Sequence, residues 1–216
     1  MATISKPVIV NTLLDFYRRQ ITADNLGYRR RIYRLCQTLL EPYMPFATAC
    51  DFGSGNGWFA QKFQQNGVAN RVVAVDVHRQ ENCYIEPLLY SGRRLPFDDR
   101  SFELTYSIDV LHHCPDPVAS LKEILRCTDQ YLVIKDHTYQ TFPGWLTLCF
   151  LDEIGNRPFG IKTPYKFQKG WQWFSCLEDA GFSLDHLIHP AYCHPKPMRW
   201  GTSRLQFIAL WKRETG

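Results

Sequence analysis

The segment Asp51–Gly57 (DFGSGNG) carries the strongest structural signal in this 216-residue chain. It closes the apolar run Ala47–Phe52 and precedes Phe59 and Phe63, whose i, i+4 spacing predicts a helix. Glycine at every second position lets the backbone turn sharply and approach a ligand without a Cβ atom in the way. The pattern therefore predicts a strand, a tight ligand-binding turn and a helix.

A second signal follows in the β-branched run Arg71–Val77 (RVVAVDV), which predicts a strand buried on both faces. Asp76 ends this strand, nineteen residues after Gly57. A carboxylate at this distance from a glycine turn can accept both hydroxyls of a ribose. The two features together predict a cofactor that contains a nucleoside.

The residues around the turn distinguish between cofactors. A dinucleotide fingerprint needs a third glycine one residue later, where this chain has the bulky Trp58. Asp51 adds a negative charge, which is unfavourable beside pyrophosphate but suits a ligand that carries an ammonium and a sulfonium. The turn therefore favours S-adenosylmethionine over a nicotinamide or flavin dinucleotide.

Downstream patterns extend the alternation of strands and helices. Asp116-Pro117 reads as the N-cap and first residue of a helix. A second helix is predicted at 168–180, and helices are also indicated at 32–40 and 145–153. Further strands are predicted at 88–90, 102–108, 131–134, 183–188 and 205–211. The alternation predicts an α/β fold with a doubly wound, mostly parallel sheet.

The length fits one domain, residues 1–216, with four parts. These are an N-terminal helical lid (1–45), a cofactor-binding core (46–136), a substrate-lid insertion (137–167) and a C-terminal helix with strands (168–216). The insertion is aromatic and long for a connection, although a helix that merely completes the hydrophobic packing explains it equally well. Its polar residues that can contact an acceptor are Asp152, Asn156, Arg157 and Tyr165.

Residues 45–136 resemble the class I S-adenosylmethionine-dependent methyltransferase superfamily, in particular its small-molecule, methyltransferase type 11-like branch. The resemblance rests on DFGSGNG, VVAVDV, LPFDDRSFELTYSIDVLHH (95–113) and YLVIKDH (131–137), in that order. It implies a Rossmann-like methyltransferase fold with seven strands, the last one antiparallel, and helical lid elements.

The resemblance also implies which residues hold S-adenosylmethionine. Asp76 would bind the ribose, and Val77 would lie against the adenine. Ser91, followed by Gly92, stands where the family often has an acidic residue that contacts the adenine amino group, and Ile108 would pack against the cofactor. The methionine end would lie on Asp51, Gly53, Ser54, Gly55 and Asn56.

Catalytic candidates follow the fourth and fifth strands, because ligands in this architecture lie beyond the carboxyl ends of the strands. A base is needed only when the acceptor loses a proton during attack, as a hydroxyl usually does. His137 is the first choice, with Asp136 as its orienting partner, and His113 is the second. The histidines can also simply shape the cofactor pocket, with no protein base at all.

Composition and residue spacing argue against several partners. A net charge of +4 and a pI near 8.6 are low for a dedicated nucleic-acid binder. The first twenty residues lack the apolar run of a signal peptide, and no stretch is long enough to cross a membrane, so a cytoplasmic protein is expected. Eight scattered cysteines without a Cys-x-x-Cys pair, and the irregularly spaced His186, His189 and His194, predict no metal site.

We therefore expect methyl transfer to a small-molecule acceptor, with a hydroxyl oxygen favoured over nitrogen or carbon. The alternatives are an RNA or protein methyltransferase, a non-catalytic binding or scaffold protein with the same fold, and, more distantly, a nicotinamide oxidoreductase. The sequence leaves the acceptor and the oligomeric state open.

Overall fold

The computed structural model describes residues 27–156, 163–196 and 198–214. It contains eight strands and six α-helices in these ranges. The strands are β1 (Phe46–Phe52), β2 (Ala69–Asp76), β3 (Leu88–Leu89), β4 (Phe102–Ile108), β5 (Thr128–Tyr139), β6 (Gln168–Lys169), β7 (Phe182–Ile188) and β8 (Gln206–Arg213). The helices are α1 (Tyr28–Leu40), α2 (Trp58–Gln65), α3 (Pro117–Cys127), α4 (Phe142–Asn156), α5 (Phe174–Asp179) and α6 (Arg199–Thr202).

One sheet runs through the molecule in the order β3-β2-β1-β4-β5-β8-β7, and the two-residue β6 pairs with the end of β5. Strands β1 to β5 are parallel, whereas β8 is antiparallel to both of its neighbours. The predicted seven-stranded, mostly parallel sheet with an antiparallel last strand is confirmed, and β6 is an addition to it.

Helices cover both faces of the sheet, as a doubly wound fold requires. Along β5, Val133 belongs to the core cluster under α1 and α2, while its neighbours Leu132 and Ile134 belong to the cluster under α3 and α5. Alternate side chains of a strand point to opposite faces, so a strand between two helical layers is apolar throughout. This burial explains the continuous apolar runs of the central strands.

Local signals place the start of α3 correctly. Asp116 is the N-cap, and its carboxylate accepts a hydrogen bond from the backbone N–H of Ala119 at 3.0 Å. Pro117 occupies the first helical position, where its missing N–H costs nothing.

Two connections differ from the predicted alternation. Residues 77–87, between β2 and β3, form no helix and instead pack along the glycine turn, where Tyr84 N–H donates to the carbonyl of Asn56 at 2.7 Å. The helix predicted at 168–180 is confined to α5, because Gln168 is buried in the β6 pairing with Thr138. At residues 168–169, tertiary pairing overrides the local helical pattern.

The predicted N-terminal lid, residues 1–45, falls only partly within these ranges. Residues 1–26 lie outside the described residues, and α1 supplies the rest of the predicted lid. Among the described residues, no helix is both long and apolar enough to cross a membrane.

Candidate functional site

The glycine turn between β1 and α2 depends on left-handed backbone at two crowded positions. Gly53 and Gly57 have φ angles of 73° and 74°. A Cβ atom on Gly57 would lie 2.5 Å from the carbonyl oxygen of Ile85, and one on Gly53 would lie 2.3 Å from a methyl group of Val110. Glycine is therefore required at both positions by the chain's own packing.

Asp76 joins the end of β2 to this turn. Its Oδ2 accepts a hydrogen bond from Gly55 N–H at 2.8 Å, and its Oδ1 accepts from the N–H groups of Val77 and His78 at 2.7 and 3.0 Å. A carboxylate offers about four acceptor positions, so one remains on Oδ2. The carboxylate thus fits one ribose hydroxyl directly and a second only by displacing a backbone donor.

Three predicted adenine contacts lie side by side beyond β2 and β3. The side chain of Val77 is 45% exposed. Gly92 lies against it, because a Cβ atom on Gly92 would be 3.3 Å from Val77 Cγ1, and the neighbouring Ser91 is exposed. Ile108, in contrast, is 9% exposed and belongs to the core under α1 and α2.

Asp51 is buried beside the glycine turn and contacts α2. This residue is 2% exposed, and its carboxylate accepts a hydrogen bond from Ala60 N–H in α2 at 3.1 Å. Burial raises the pKa of Asp51 to about 8. The side chain therefore ties the turn to the helix, and its role toward the ligand stays a prediction.

The remaining turn residues differ in what they can offer a ligand. Ser54 is 8% exposed, and its Oγ has no hydrogen-bond partner among the described residues. The side chain of Asn56 is engaged, since its Oδ1 accepts from Arg29 of α1 at 3.1 Å. Because a buried, unpartnered hydroxyl is costly, Ser54 and the free position on Asp76 fit a polar nucleoside cofactor over the turn.

A second group of polar residues lines a cavity of about 90 Å³ beyond the ends of β4 and β5. One wall is the 3-10 turn Leu111–His113, and the opposite wall is α4. The polar residues that line the cavity are Tyr28, Asp109, His112, His113, His137, Asp152 and Asn156. The fold therefore gathers the predicted catalytic histidines with two of the polar residues predicted in the lid.

The strongest polar contact in this group joins Asp136 to His112. Asp136 is fully buried and lies 2.6 Å from His112 Nδ1, and it also accepts from the N–H groups of Leu111 and His137 at 3.1 and 2.7 Å. Burial alone would raise the pKa of Asp136, but His112 outweighs it and holds that pKa well below its usual range. Burial lowers the pKa of His112, yet Asp136 and Asp152 outweigh it and raise the value to about 10.

The pKa values of His113 and His137, the two predicted bases, are lowered, whereas that of His112 is raised. Burial lowers the pKa of His113 to about 4 and also lowers the pKa of His137, to which the charge of Lys135 contributes. Both imidazoles are therefore neutral at pH 7 and can accept a proton. His137 Nδ1 lies 3.4 Å from Asp136 without hydrogen-bond geometry, so the direct partner of Asp136 is His112 and not its chain neighbour.

Lys135 is a buried lysine beside the cavity. Its only signal in the sequence is its position inside an apolar strand. Lys135 is fully buried and donates hydrogen bonds to Tyr28 at 2.6 Å, to Gln206 at 2.5 Å and to Asp109. Asp109 itself has a φ angle of 57°, which is unusual outside glycine. The network fixes α1, β5 and β8 around the cavity.

Other predicted positions lie apart from the cavity or outside the described residues. Arg157 falls in the undescribed range 157–162, and the hydroxyl of Tyr165 donates to Glu153. The C-terminal histidines each have a separate partner: His186 pairs with Asp185, His189 with the carbonyl of Arg204 and His194 with Thr202. All eight cysteines are free thiols.

Comparison with known proteins adds a family match. The protein-family model described as a methyltransferase domain matches residues 50–131, whereas no curated protein matches the chain.

Solved structures show the same fold at low sequence identity. A chain from the complex of the Haloferax volcanii Trm112 methyltransferase activator with a putative methyltransferase is 16% identical, with a TM-score of 0.60 over 93% of this chain and 98% of that one. A SAM-dependent methyltransferase from Aquifex aeolicus is 16% identical, with a TM-score of 0.54 over 97% and 100%. The [4+2]-cyclase SpnF is 15% identical, with a TM-score of 0.63 over 96% and 93%.

The matched residues include the glycine turn, Asp76 and β4, whereas His137 and α4 lie beyond them. Residues 50–131 therefore match a methyltransferase domain, and the chain has the fold of solved S-adenosylmethionine-dependent methyltransferases.

Proposed function

We propose that this protein transfers a methyl group from S-adenosylmethionine to a hydroxyl oxygen of a small-molecule acceptor. The observation that carries the proposal is His137, a neutral imidazole at the carboxyl end of β5 that lines the cavity beside Asp109. A hydroxyl loses its proton when it attacks a methyl group, and a neutral imidazole within reach can accept that proton.

The cofactor would lie over the glycine turn. Asp76 would hold a ribose hydroxyl, Val77 and Gly92 would flank the adenine, and Ser54 would donate to a polar group of the ligand. When bound, S-adenosylmethionine would supply an electrophilic methyl group, and its neutral thioether, S-adenosylhomocysteine, would be the leaving group. Most of what the chain contributes is then alignment, for which effective molarities reach ~10⁵–10⁸ M.

The cavity supports a small acceptor. Its volume of about 90 Å³ admits a functional group and a few neighbouring atoms, and α4 closes it from one side. Asp152 and Asn156 project from α4 into the cavity and can position an acceptor hydroxyl. The lid function of 137–167 rests on this placement.

The cofactor assignment is tested by calorimetric titration with S-adenosylmethionine and, separately, with NAD. We expect saturable binding of S-adenosylmethionine alone. Binding of NAD in its place would contradict the assignment.

The acceptor class is then tested by following release of S-adenosylhomocysteine over a library of small molecules matched in scaffold and differing in hydroxyl, amine or activated-carbon acceptors. Turnover confined to hydroxyl compounds supports the proposal. Turnover only on RNA or protein, or cofactor binding without any turnover, would favour the macromolecular or the scaffold alternative.

A further inference from the structure

Two adjacent histidines and an aspartate from a distant helix converge at the wall of the cavity. The Nε2 atoms of His112 and His113 each lie 3.6 Å from Oδ1 of Asp152. The side chains of His112, His113 and Asp152 are 2%, 19% and 5% exposed. Such a group of two imidazoles and one carboxylate, shielded from water, is unusual among residues that merely fill a core.

The spacing of these three atoms matches the coordination shell of a metal ion. Zinc binds imidazole nitrogen and carboxylate oxygen at roughly 2.0–2.2 Å, which places two ligand atoms of a tetrahedral site about 3.4 Å apart. The two measured separations to Asp152 are 3.6 Å, and all three atoms lie within 4.8 Å of one another.

A buried carboxylate orients one of the rings for this role. Asp136 accepts the hydrogen bond of His112 Nδ1 at 2.6 Å, so Nε2 is the nitrogen that a metal ion would bind in place of a proton. Nε2 lies 3.6 Å from Oδ1 of Asp152. Metal-binding histidines almost always donate their second N–H to a carboxylate or carbonyl in this way.

One carboxylate oxygen of Asp152 lacks a hydrogen-bond partner among the described residues. Its Oδ1 accepts from Asn156 Nδ2 at 2.5 Å, but its Oδ2 is buried without a hydrogen-bond partner in the described part of the chain. An unpaired carboxylate oxygen away from water is costly, and a cation beside it removes that cost.

The cavity supplies the remaining coordination position. His112, His113 and Asp152 line it together with Asn156, and its volume of about 90 Å³ exceeds the space of one water molecule, about 30 Å³. Catalytic metal sites combine three protein ligands with one open position.

We propose that His112, His113 and Asp152 form a binding site for a divalent transition-metal ion of the zinc class, with its open position facing the cavity. Imidazole and carboxylate ligands suit this class of ion. The site goes beyond the proposed methyl transfer, and its binding is measured without cofactor or acceptor. Neither the scattered cysteines nor the C-terminal histidines supply a ligand.

The experiment uses the full chain, freed of metal with a chelator. We titrate it with Zn²⁺ by calorimetry and with Co²⁺ by visible absorption, which reports coordination geometry and ligand type. We expect one equivalent of each ion and Co²⁺ ligand-field bands without a thiolate charge-transfer band. A failure to bind one equivalent, or a thiolate band from one of the eight cysteines, would overturn the proposal.

Variants locate the site. His113→Gln and Asp152→Asn should each weaken Zn²⁺ binding on the order of 100-fold or more. Loss of a residue that only orients a metal ligand already weakens binding about 10–100-fold. The matched control is His186→Gln, which alters an exposed histidine that also contacts a carboxylate, Asp185, at 2.7 Å. Wild-type affinity in both folded test variants refutes the site. If either variant unfolds, the Co²⁺ spectrum of the wild-type protein still decides.

Discussion

The carboxylate of Asp136 lies 2.6 Å from Nδ1 of His112, and both side chains are almost completely buried. The contact joins the end of β5 to the 3-10 turn after β4, across 24 residues of sequence. It holds the histidine wall of the cavity in place, whereas the imidazole of His137 makes no hydrogen bond to Asp136.

The burial of this pair predicts a large cost for Asp136→Asn. The amide NH₂ group would face backbone donors, because Leu111 and His137 both donate to the carboxylate, and His112 would lose its counter-charge. Breaking a buried ion pair costs about 3–5 kcal/mol. Urea unfolding at pH 7.5 measures the loss.

The pair of half-buried Asp185 and exposed His186, at 2.7 Å, is the more exposed control for that experiment. Asp185→Asn should lower the free energy of unfolding by about 1 kcal/mol or less, since exposed pairs contribute little. Equal losses in the two variants would show that burial is not what makes the Asp136 contact important.

Asp76→Ala should weaken binding of S-adenosylmethionine roughly 10–100-fold, because a hydrogen bond to a charged group contributes about 1.5–3 kcal/mol. Calorimetric titration measures the dissociation constant. Circular dichroism checks that the variant still folds, because Asp76 also accepts a hydrogen bond from Gly55 N–H in the turn. Asp98→Ala, at an exposed carboxylate, is the control. Unchanged affinity in a folded Asp76→Ala protein would exclude the ribose role.

His137→Ala should cut turnover by ~10²–10⁴ while the affinity for S-adenosylmethionine stays nearly constant, because the imidazole is proposed to accept the acceptor's proton and not to hold the cofactor. Single-turnover methyl transfer and calorimetry separate the two quantities. His186→Ala, at an exposed histidine, should leave both unchanged. A wild-type rate in His137→Ala would remove this residue from the mechanism.

Gly57→Ala should destabilise the protein more than Gly67→Ala. Both residues have left-handed backbone, with φ angles of 74° and 69°, so both variants incur the same conformational cost of roughly 1–2 kcal/mol. Only at Gly57 would the new Cβ atom meet backbone, 2.5 Å from the oxygen of Ile85, whereas no described heavy atom lies within 4 Å at Gly67. Overpacking adds about 1–3 kcal/mol, which urea unfolding resolves. Equal losses would contradict the close approach of residues 77–87.

His194 predicts an acid-sensitive component of stability. The residue is 3% exposed and lies 2.8 Å from the hydroxyl of Thr202, and burial lowers its pKa to about 3, with Lys135 and His137 contributing in the same direction. The unfolded chain, with an ordinary pKa near 6.5, binds a proton that the folded protein does not. The stability is therefore present above pH 6.5 and is lost as the pH falls toward 3.

The variant His194→Asn keeps a polar partner for Thr202 but cannot titrate. Relative to it, the wild-type protein should lose about 2 kcal/mol of unfolding free energy between pH 7.5 and pH 5, since one pH unit below the unfolded pKa corresponds to 1.36 kcal/mol. Urea unfolding of both proteins at the two pH values gives the difference. A constant difference in unfolding free energy between the two proteins would mean that His194 has the same pKa in the folded and unfolded states.

The sequence by itself determined the strand-turn-helix unit around Asp51–Gly57, the β2 strand with Asp76 and the start of α3 at Asp116. These features depend on local physics: apolar runs for strands buried on both faces, glycine for left-handed backbone, and an N-cap carboxylate for free N–H groups. Local rules act over a few residues, so spacing along the chain is enough to recognise them.

Only the tertiary structure decided which polar groups meet. The contacts of Asp136 with His112, of Lys135 with Asp109 and of Asp152 with His113 join residues 24 to 39 positions apart in different elements. The burial of Asp51 depends on tertiary packing as well. Such contacts depend on the register of β4 against β5 and on how α4 packs across their ends. A shift of one residue in register would turn each side chain to the other face, and spacing in the sequence does not encode that choice.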